Sequence, residues 1–374
     1  MVTEIIKIIE GGLNQDILKV ANYASILAEN LEKDGDAVFA RRIKNALKSK
    51  HGSLASLDSL SSKPVDSETR MDIVEVSHPS ILDEHIIFDK YILESLETFL
   101  SAYKKRDELI SAGLQAQSTL LLYGPPGCGK TSVAKILSEK LNLPLITARL
   151  DGLVSSLLGS TAKNIRKIFE YATQQPCVLF LDEFDVVAKL RDDKNELGEL
   201  KRVVNSLIQN IDEFDNASIL VAATNHHEML DPAIWRRFNT VLELPLPNRD
   251  TISSIVNFEL KTQKNDIQNS KKRFEIIVKE FIGLSHSAIR TILSNALRQT
   301  VLNPQKDASL SECTLLKEIF MHKRHASCTE AELIQYLLNN GISHRRLHDT
   351  LNIPLRLIRD VSVSIRKEKN HHEQ

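Results

Sequence analysis

A chain of 374 residues is long enough for about two to three domains with buried cores. Apolar residues make up 42% and charged residues 26%, the balance of a soluble globular protein. No apolar run is long enough to cross a bilayer and no basic-then-apolar leader precedes the chain, so no membrane contact is expected and the cytoplasm is the expected location. Forty-eight Lys and Arg against 49 Asp and Glu leave a formal net charge of −1, which excludes a polyanion-binding signature for the whole chain and confines any nucleic-acid surface to a local patch.

Apolar residues recur at three and four along the first fifty positions: Ile5 and Ile9, then Ile17, Val20, Ala24, Leu27 and Leu31, then Phe39, Ile43 and Leu47. The spacing predicts three short amphipathic helices, a module over 1–50 that either docks a partner or packs as an appendage. Residues 51–70 are serine-rich, with Pro64 and few large apolar side chains, and read as a flexible linker. A second globular region begins at 71, with Ile86, Ile87 and Phe88 ahead of a helical pattern through Leu93, Leu96, Leu100 and Tyr103.

Strand-like and helix-like segments then alternate. Strands are expected at Thr119 to Tyr123, Leu145 to Leu150, Cys177 to Leu181, Ile219 to Thr224 and Val241 to Leu244. Near-continuous apolar runs of this length suit strands buried on both faces, and intervening helices make a parallel, three-layer α/β sheet the natural solution. Ligands bind at the carboxyl ends of such strands.

The first of these strands runs into Gly124-Pro125-Pro126-Gly127-Cys128-Gly129-Lys130-Thr131, which fits the phosphate-binding pattern GxxxxGK followed by Ser or Thr. Glycines let the backbone turn its N–H groups inward, and the helix that follows from Ser132 adds partial positive charge. Lys130 would reach the β- and γ-phosphates, and the Thr131 hydroxyl would hold Mg²⁺. The third strand ends in Asp182 and Glu183, a carboxylate for Mg²⁺ and one to polarise an attacking water. The fourth ends in Asn225, whose amide can both donate to a γ-phosphate and accept from a water. Arg236 and Arg237 follow in Leu230-Asp231-Pro232-Ala233-Ile234-Trp235-Arg236-Arg237-Phe238. Cys128, Cys177, Cys313 and Cys328 lack CxxC or CxxH spacing and are read as reduced thiols.

GPPGCGKT, LFLDE, AATN and LDPAIWRRF, in this order and spacing, resemble the AAA ATPase family over about residues 75–322. The resemblance implies a P-loop NTPase large domain over 71–248, a helical lid over 249–325, and a ring-shaped homo-oligomer, commonly a hexamer, with ATP and Mg²⁺ as cofactors. Carried over, Lys130 and Thr131 are the Walker A pair, with Ser132 beside them at the nucleotide, and Asp182 and Glu183 are the Walker B pair. Asn225 matches sensor 1, and Arg236 and Arg237 match fingers presented to a neighbouring subunit. Ile86 and Ile87 fall where the family packs apolar side chains on adenine. Residues 152–159 align with the first pore loop; Leu157, followed by Leu158, stands where the family usually carries an aromatic grip on a threaded polypeptide. Gly283-Leu284-Ser285-His286-Ser287-Ala288 resembles GFSGAD at the start of the sensor 2 helix, with His286 in place of a glycine. Lid helices are expected near 251–262, 271–281, 285–302 and 309–321.

After the lid, Ala331 to Leu338, His344 to Leu351 and Leu355 to Ile365 read as helices, and 326–374 resembles a helix-turn-helix. From Lys323 onward nine Lys and Arg stand against six Asp and Glu. The segment serves packing, protein contacts or, through residues 341–366, DNA. The expectation for the whole chain is an ATP-driven ring that remodels a macromolecule, with a protein as substrate and a partner protease in phage defence as one setting. The alternative is a DNA-linked ATPase or regulator.

Overall fold

The computed structural model describes residues 63–66, 72–79, 86–115, 118–150, 158–185, 197–214, 217–302, 309–324 and 328–372, together with scattered helical positions at 20, 23–24, 26–28, 30–31, 39–40 and 43. Most of the N-terminal module, the serines of the expected linker and Leu157 lie outside the described residues, and Leu158 is described by its backbone alone.

Six strands form one sheet: β1 (Glu75–Ser77), β2 (Thr119–Tyr123), β3 (Leu145–Arg149), β4 (Val178–Asp182), β5 (Ile219–Thr224) and β6 (Thr240–Glu243). Their order is β1-β3-β4-β5-β2-β6. All neighbours run parallel except β1, an antiparallel edge strand that the sequence reading did not anticipate. Only one of its three residues is even half-buried, so it carries no apolar run to announce it. The five anticipated strands appear within a residue of their expected bounds.

The buried strands separate cleanly by the two-residue period. Leu121, Ile146, Leu179, Leu181, Leu220 and Ala222 face one layer, where α4 (Leu158–Ala172) and α5 (Leu197–Asp212) cover them. Leu120, Leu122, Val178, Phe180, Val221 and Ala223 face the other, where α1 (Lys90–Lys104) and α3 (Lys130–Leu141) lie. A short helix, α2 (Arg106–Ser111), follows α1. Residues 63–66, inside the segment expected as linker, pack on α4: the buried Asp66 accepts a hydrogen bond from the Asn164 side chain, and Lys167 Nζ donates to the Val65 carbonyl at 3.1 Å.

Beyond α6 (Pro232–Trp235) and β6 the chain is helical: α7 (Arg249–Leu260), α8 (Lys271–Phe281), α9 (His286–Leu302), α10 (Glu312–Lys323), α11 (Glu330–Asn339), α12 (His344–Leu351) and α13 (Leu355–His372). The first four match the expected lid helices within about three residues. α11 to α13 match the three C-terminal helices, and they bury Leu333, Ile334, Leu337, Leu347 and Ile358 in the same apolar core as Ile252, Ile277, Ile292, Leu316 and Ile319 of α7 to α10. A complete capping box at Thr329 and Glu332 starts α11, and Asn352, at φ 55°, ends α12 in the left-handed conformation. An ionic cluster adds to the apolar contact: Arg346 Nη1 donates to Glu312 Oε2 at 3.0 Å and Nη2 to Asp266, while Arg273 reaches Asp266 at 3.2 Å and Glu312 at 3.5 Å.

Candidate active site

β2 lies between β5 and β6, and the chain leaves its carboxyl end through α3 toward β3, on the far side of β5 and β4. This reversal of winding opens a crevice beyond the strand ends. A cavity of about 660 Å³ occupies it, lined by the 126–132 loop and helix start, Asp182, Glu183, Asn225, Ile86 and Ile87 on one wall and by α7 and α9 on the other.

The loop is shaped by positions where a side chain cannot stand. Gly124, at φ 139°, would place a Cβ 2.2 Å from the Leu244 carbonyl oxygen, which belongs to the segment that hydrogen-bonds back to Tyr123. Gly127, at φ 76°, would meet Ser285 Oγ at 2.7 Å, and Gly129, at φ 95°, the Phe88 ring at 2.9 Å. Glycine is needed at all three for both conformation and space. Gly129 then caps α3, whose first turn holds Lys130 and directs its N-terminus into the cavity.

Lys130 is 8% exposed, and its ammonium donates to the carbonyls of Gly124 at 2.6 Å and Pro125 at 3.0 Å and to Asn225 Oδ1 at 2.6 Å. Burial lowers its pKa; Cys128, Asp182 and Asp185 oppose the shift. Cys128 is itself buried beneath the loop, and burial pushes its thiol up, with Lys130 pulling the other way.

Asp182 and Glu183 both line the cavity, but their backbones differ. Asp182 closes β4, while Glu183 sits at φ 55°, a region that residues with a Cβ occupy rarely. Its N–H donates to Asp182 Oδ1 at 2.9 Å, and the next residue is anchored hard: Phe184 N–H donates to the Ala223 carbonyl at 2.9 Å and its buried ring meets Phe238 edge-on at 5.8 Å. Strain of this kind, typically about 1–3 kcal/mol, persists where surrounding packing enforces it and is common at reactive residues. Asp185, which is buried, accepts from Thr224 Oγ1 at 3.2 Å.

Thr131 and Ser132 line the cavity beside Asp182. A hydroxyl and a carboxylate are the hard oxygen donors that suit Mg²⁺ bound together with phosphate oxygens. The glycine-formed loop, the helix N-terminus and the desolvated ammonium suit the phosphates. The residues present therefore fit Mg-ATP.

Arg236 and Arg237 do not line this cavity. They follow α6, which Asp231 caps by accepting from Ala233 N–H at 2.7 Å. Arg236 is exposed. Arg237 pairs with Asp212 at 3.1 Å and donates to the Ala233 carbonyl at 3.1 Å. Thr119 Oγ1 donates to the Arg237 carbonyl at 2.9 Å, which ties the arginine turn to the foot of β2.

Beside Ser287 of the 283–288 motif, the lid wall contains residues that the sequence did not single out: Arg290, Thr291, Ser294, Asn295 and Arg298. Their spacing of three and four puts them on one polar face of α9, opposite Ile289, Ile292, Leu293 and Ala296 in the lid core. That periodicity was available in the sequence, whereas the direction in which the polar face points was not. Arg290 Nε bonds Glu259 Oε1 at 3.1 Å across the two lid helices. Ser287 N–H donates to the Gly127 carbonyl at 3.0 Å, and His286 Nε2 lies 3.1 Å from the Ile87 carbonyl, so the lid is joined directly to the loop and to the segment before α1.

Comparison with known proteins agrees with this geometry. Residues 120–246 match the ATPase family associated with various cellular activities (AAA). The chain is 34% identical over 296 residues to an uncharacterized AAA family ATPase, y4kL, of Sinorhizobium fredii, covering 79% of this chain and 87% of that one. It is 35% identical over 218 residues to proteasome-activating nucleotidase 1 of Haloferax volcanii, and 32% identical over 179 residues to the peroxisomal ATPase PEX6 of Saccharomyces cerevisiae. The matches cover 55% of this chain and 53% of the nucleotidase, and 46% of this chain and 17% of the peroxisomal protein. Among solved structures, the AAA domain of FIGL-1 superposes with a TM-score of 0.54 at 20% identity, over 74% of this chain and 92% of that one, a likeness of fold alone. With the phosphate loop, the acidic strand end and the lid in their places, this chain belongs to the AAA ATPase family and is an ATP-hydrolysing enzyme.

Proposed function

We propose that this chain works as a ring of identical subunits, hexameric by analogy with its family, that uses ATP to remodel protein substrates. The observation that carries the catalytic half is the convergence of Lys130, Thr131, Asp182, Glu183 and Asn225 on one cavity that α7 and α9 wall on the other side. Similarity to nucleotidases named for activating proteasomes supports the choice of a protein substrate and of a partner protease.

In this reading Ile86 and Ile87 hold the base, the 124–129 backbone cradles the phosphates and Lys130 exchanges part of its present oxygen set for phosphate oxygens. Thr131 and Asp182 would hold Mg²⁺, which supplies charge neutralisation on the phosphates when bound. Glu183 accepts a proton from the attacking water while Asn225 orients it, as its position beside Lys130 allows. Arg236 and Arg237 lie off their own cavity and therefore serve a neighbour's, which makes turnover depend on assembly. Leu157 and Leu158 contact the substrate in the ring's pore.

The test is Mg-dependent ATPase activity of the purified chain, measured alone, with an unfolded protein and with duplex DNA at low salt. Stimulation by the unfolded protein is the expected result. Stimulation by DNA alone, lost on Arg356→Ala and Arg359→Ala in the exposed part of α13, would transfer the function to nucleic acid.

A further inference from the structure

The parallel ladder between β4 and β5 ends at the facing pair Leu181 and Ala222. Beyond it the two strand tails carry Glu183 and Asn225, and a different set of bonds takes over the pairing. Phe184 N–H donates to the Ala223 carbonyl at 2.9 Å. Thr224 Oγ1 donates to Asp185 Oδ1 at 3.2 Å and accepts from the His226 N–H at 3.0 Å. A single hydroxyl thus directs its hydrogen to the tail of β4 and a lone pair to the residue past Asn225.

Thr224 is 1% exposed and Asp185 4%, and neither lines the cavity, so they act on it only through their neighbours. An apolar pair of the same shape could fill this space at little or no cost in stability. What the polar pair adds is direction. The residue before Asn225 is bonded to the residue after it, and Asn225 Oδ1 itself accepts from the Lys130 ammonium at 2.6 Å. On the facing tail Glu183, at φ 55°, is held from before by Asp182 Oδ1, which accepts its N–H at 2.9 Å. It is held from after by Phe184 and Asp185, both bonded to the tail of β5. The two cavity residues are therefore spaced by one clasp.

We propose that Thr224 and Asp185 are positioning residues for hydrolysis: the bonds from Asp185 to Thr224 to the His226 N–H fix the separation of Glu183 and Asn225, the two groups that hold the attacking water. This assignment rests on the roles given to Glu183 and Asn225 above. A clasp of this kind leaves nucleotide affinity alone and acts on the chemical step, where a displacement of about 1 Å can cost a hundredfold in rate.

The experiment measures kcat, KM and displacement of a fluorescent nucleotide for Thr224→Val, Thr224→Ser and Asp185→Asn, each below its melting temperature. Thr224→Val keeps the shape and removes the hydroxyl, and it should lower kcat by about tenfold to a hundredfold with KM and nucleotide affinity unchanged. Thr224→Ser restores the hydroxyl and should return kcat close to that of the unmodified protein. Asp185→Asn keeps an acceptor oxygen without the charge and should fall between the two. Unchanged kcat in Thr224→Val overturns the proposal. So does equal impairment of Thr224→Val and Thr224→Ser, or a loss of kcat matched by a loss of nucleotide affinity, since both are marks of a purely structural role. If Thr224→Val does not fold, Asp185→Asn decides: lowered kcat with affinity retained supports the clasp, and unchanged kcat overturns it. Glu183→Gln is measured alongside. Full turnover there would remove the reading of the site itself, whereas an inactive Glu183→Gln beside a fully active Thr224→Val would remove only the clasp.

Discussion

Replacing Arg346 with Met tests whether the C-terminal helices are held to the lid by the ionic cluster as well as by apolar packing. Arg346→Met removes the bonds to Glu312 and Asp266 while keeping an unbranched apolar stem. The Glu312 side chain is 4% exposed, and its remaining partner, Arg273, is 3.5 Å away. Stripping one partner from a buried charge typically costs about 3–5 kcal/mol. Arg273 stays in place and Arg346 is itself 31% exposed, so roughly 2–3 kcal/mol is expected, or about 10 °C of melting temperature for a domain of this size.

The dependence on pH supplies a second check. Burial holds the Glu312 carboxyl above its ordinary pKa, against the pull of Arg346 and Arg273. A carboxyl with a raised folded pKa binds more protons folded than unfolded, so its penalty grows as pH rises from the ordinary carboxylate range through the folded value and vanishes below that range. Without Arg346 the folded value moves further up. The deficit of Arg346→Met against the unmodified protein, followed by thermal unfolding, should therefore shrink between pH 7.5 and pH 5. A deficit under about 2 °C, or one that widens on acidification, would refute the reasoning.

Two further outcomes concern turnover. Glu183→Gln should retain nucleotide binding and lower kcat by about a hundredfold or more, since the amide cannot take the proton from water; undiminished kcat would remove Glu183 from its assigned role. Arg237→Ala breaks a partly exposed pair with Asp212 and should cost under about 1 kcal/mol in denaturant unfolding while abolishing ATPase activity. Mixing it with Lys130→Ala protein should restore some turnover, and absence of recovery would place the arginine's action within its own subunit.

Most of the candidate site was legible in the sequence. Gly124 to Thr131 announces itself because phosphate binding by backbone requires glycine where a Cβ would strike Leu244 or Phe88, and Asp182 and Glu183 stand out as the first charges after a buried apolar run. The left-handed Glu183 was not legible, since nothing in an Asp-Glu-Phe sequence marks a positive φ; it precedes Phe184, which long-range contacts with Ala223 and Phe238 hold in place. β1 escaped notice because an edge strand with little burial needs no apolar pattern.

Local chemistry therefore determined the strands, the glycine-rich loop, the order of the candidate site residues and the helical character of the last third, because each is set by neighbours a few positions apart. Tertiary structure alone decided which polar face of α9 looks into the cavity, that His286 bonds Ile87 across 199 positions with Nδ1 left unpartnered, and that α11 to α13 share the lid's core and pin Arg346 on Glu312 and Asp266. Those relations join residues far apart in the chain, and burial and pairing at such distances are properties of the packed chain that no window of sequence contains.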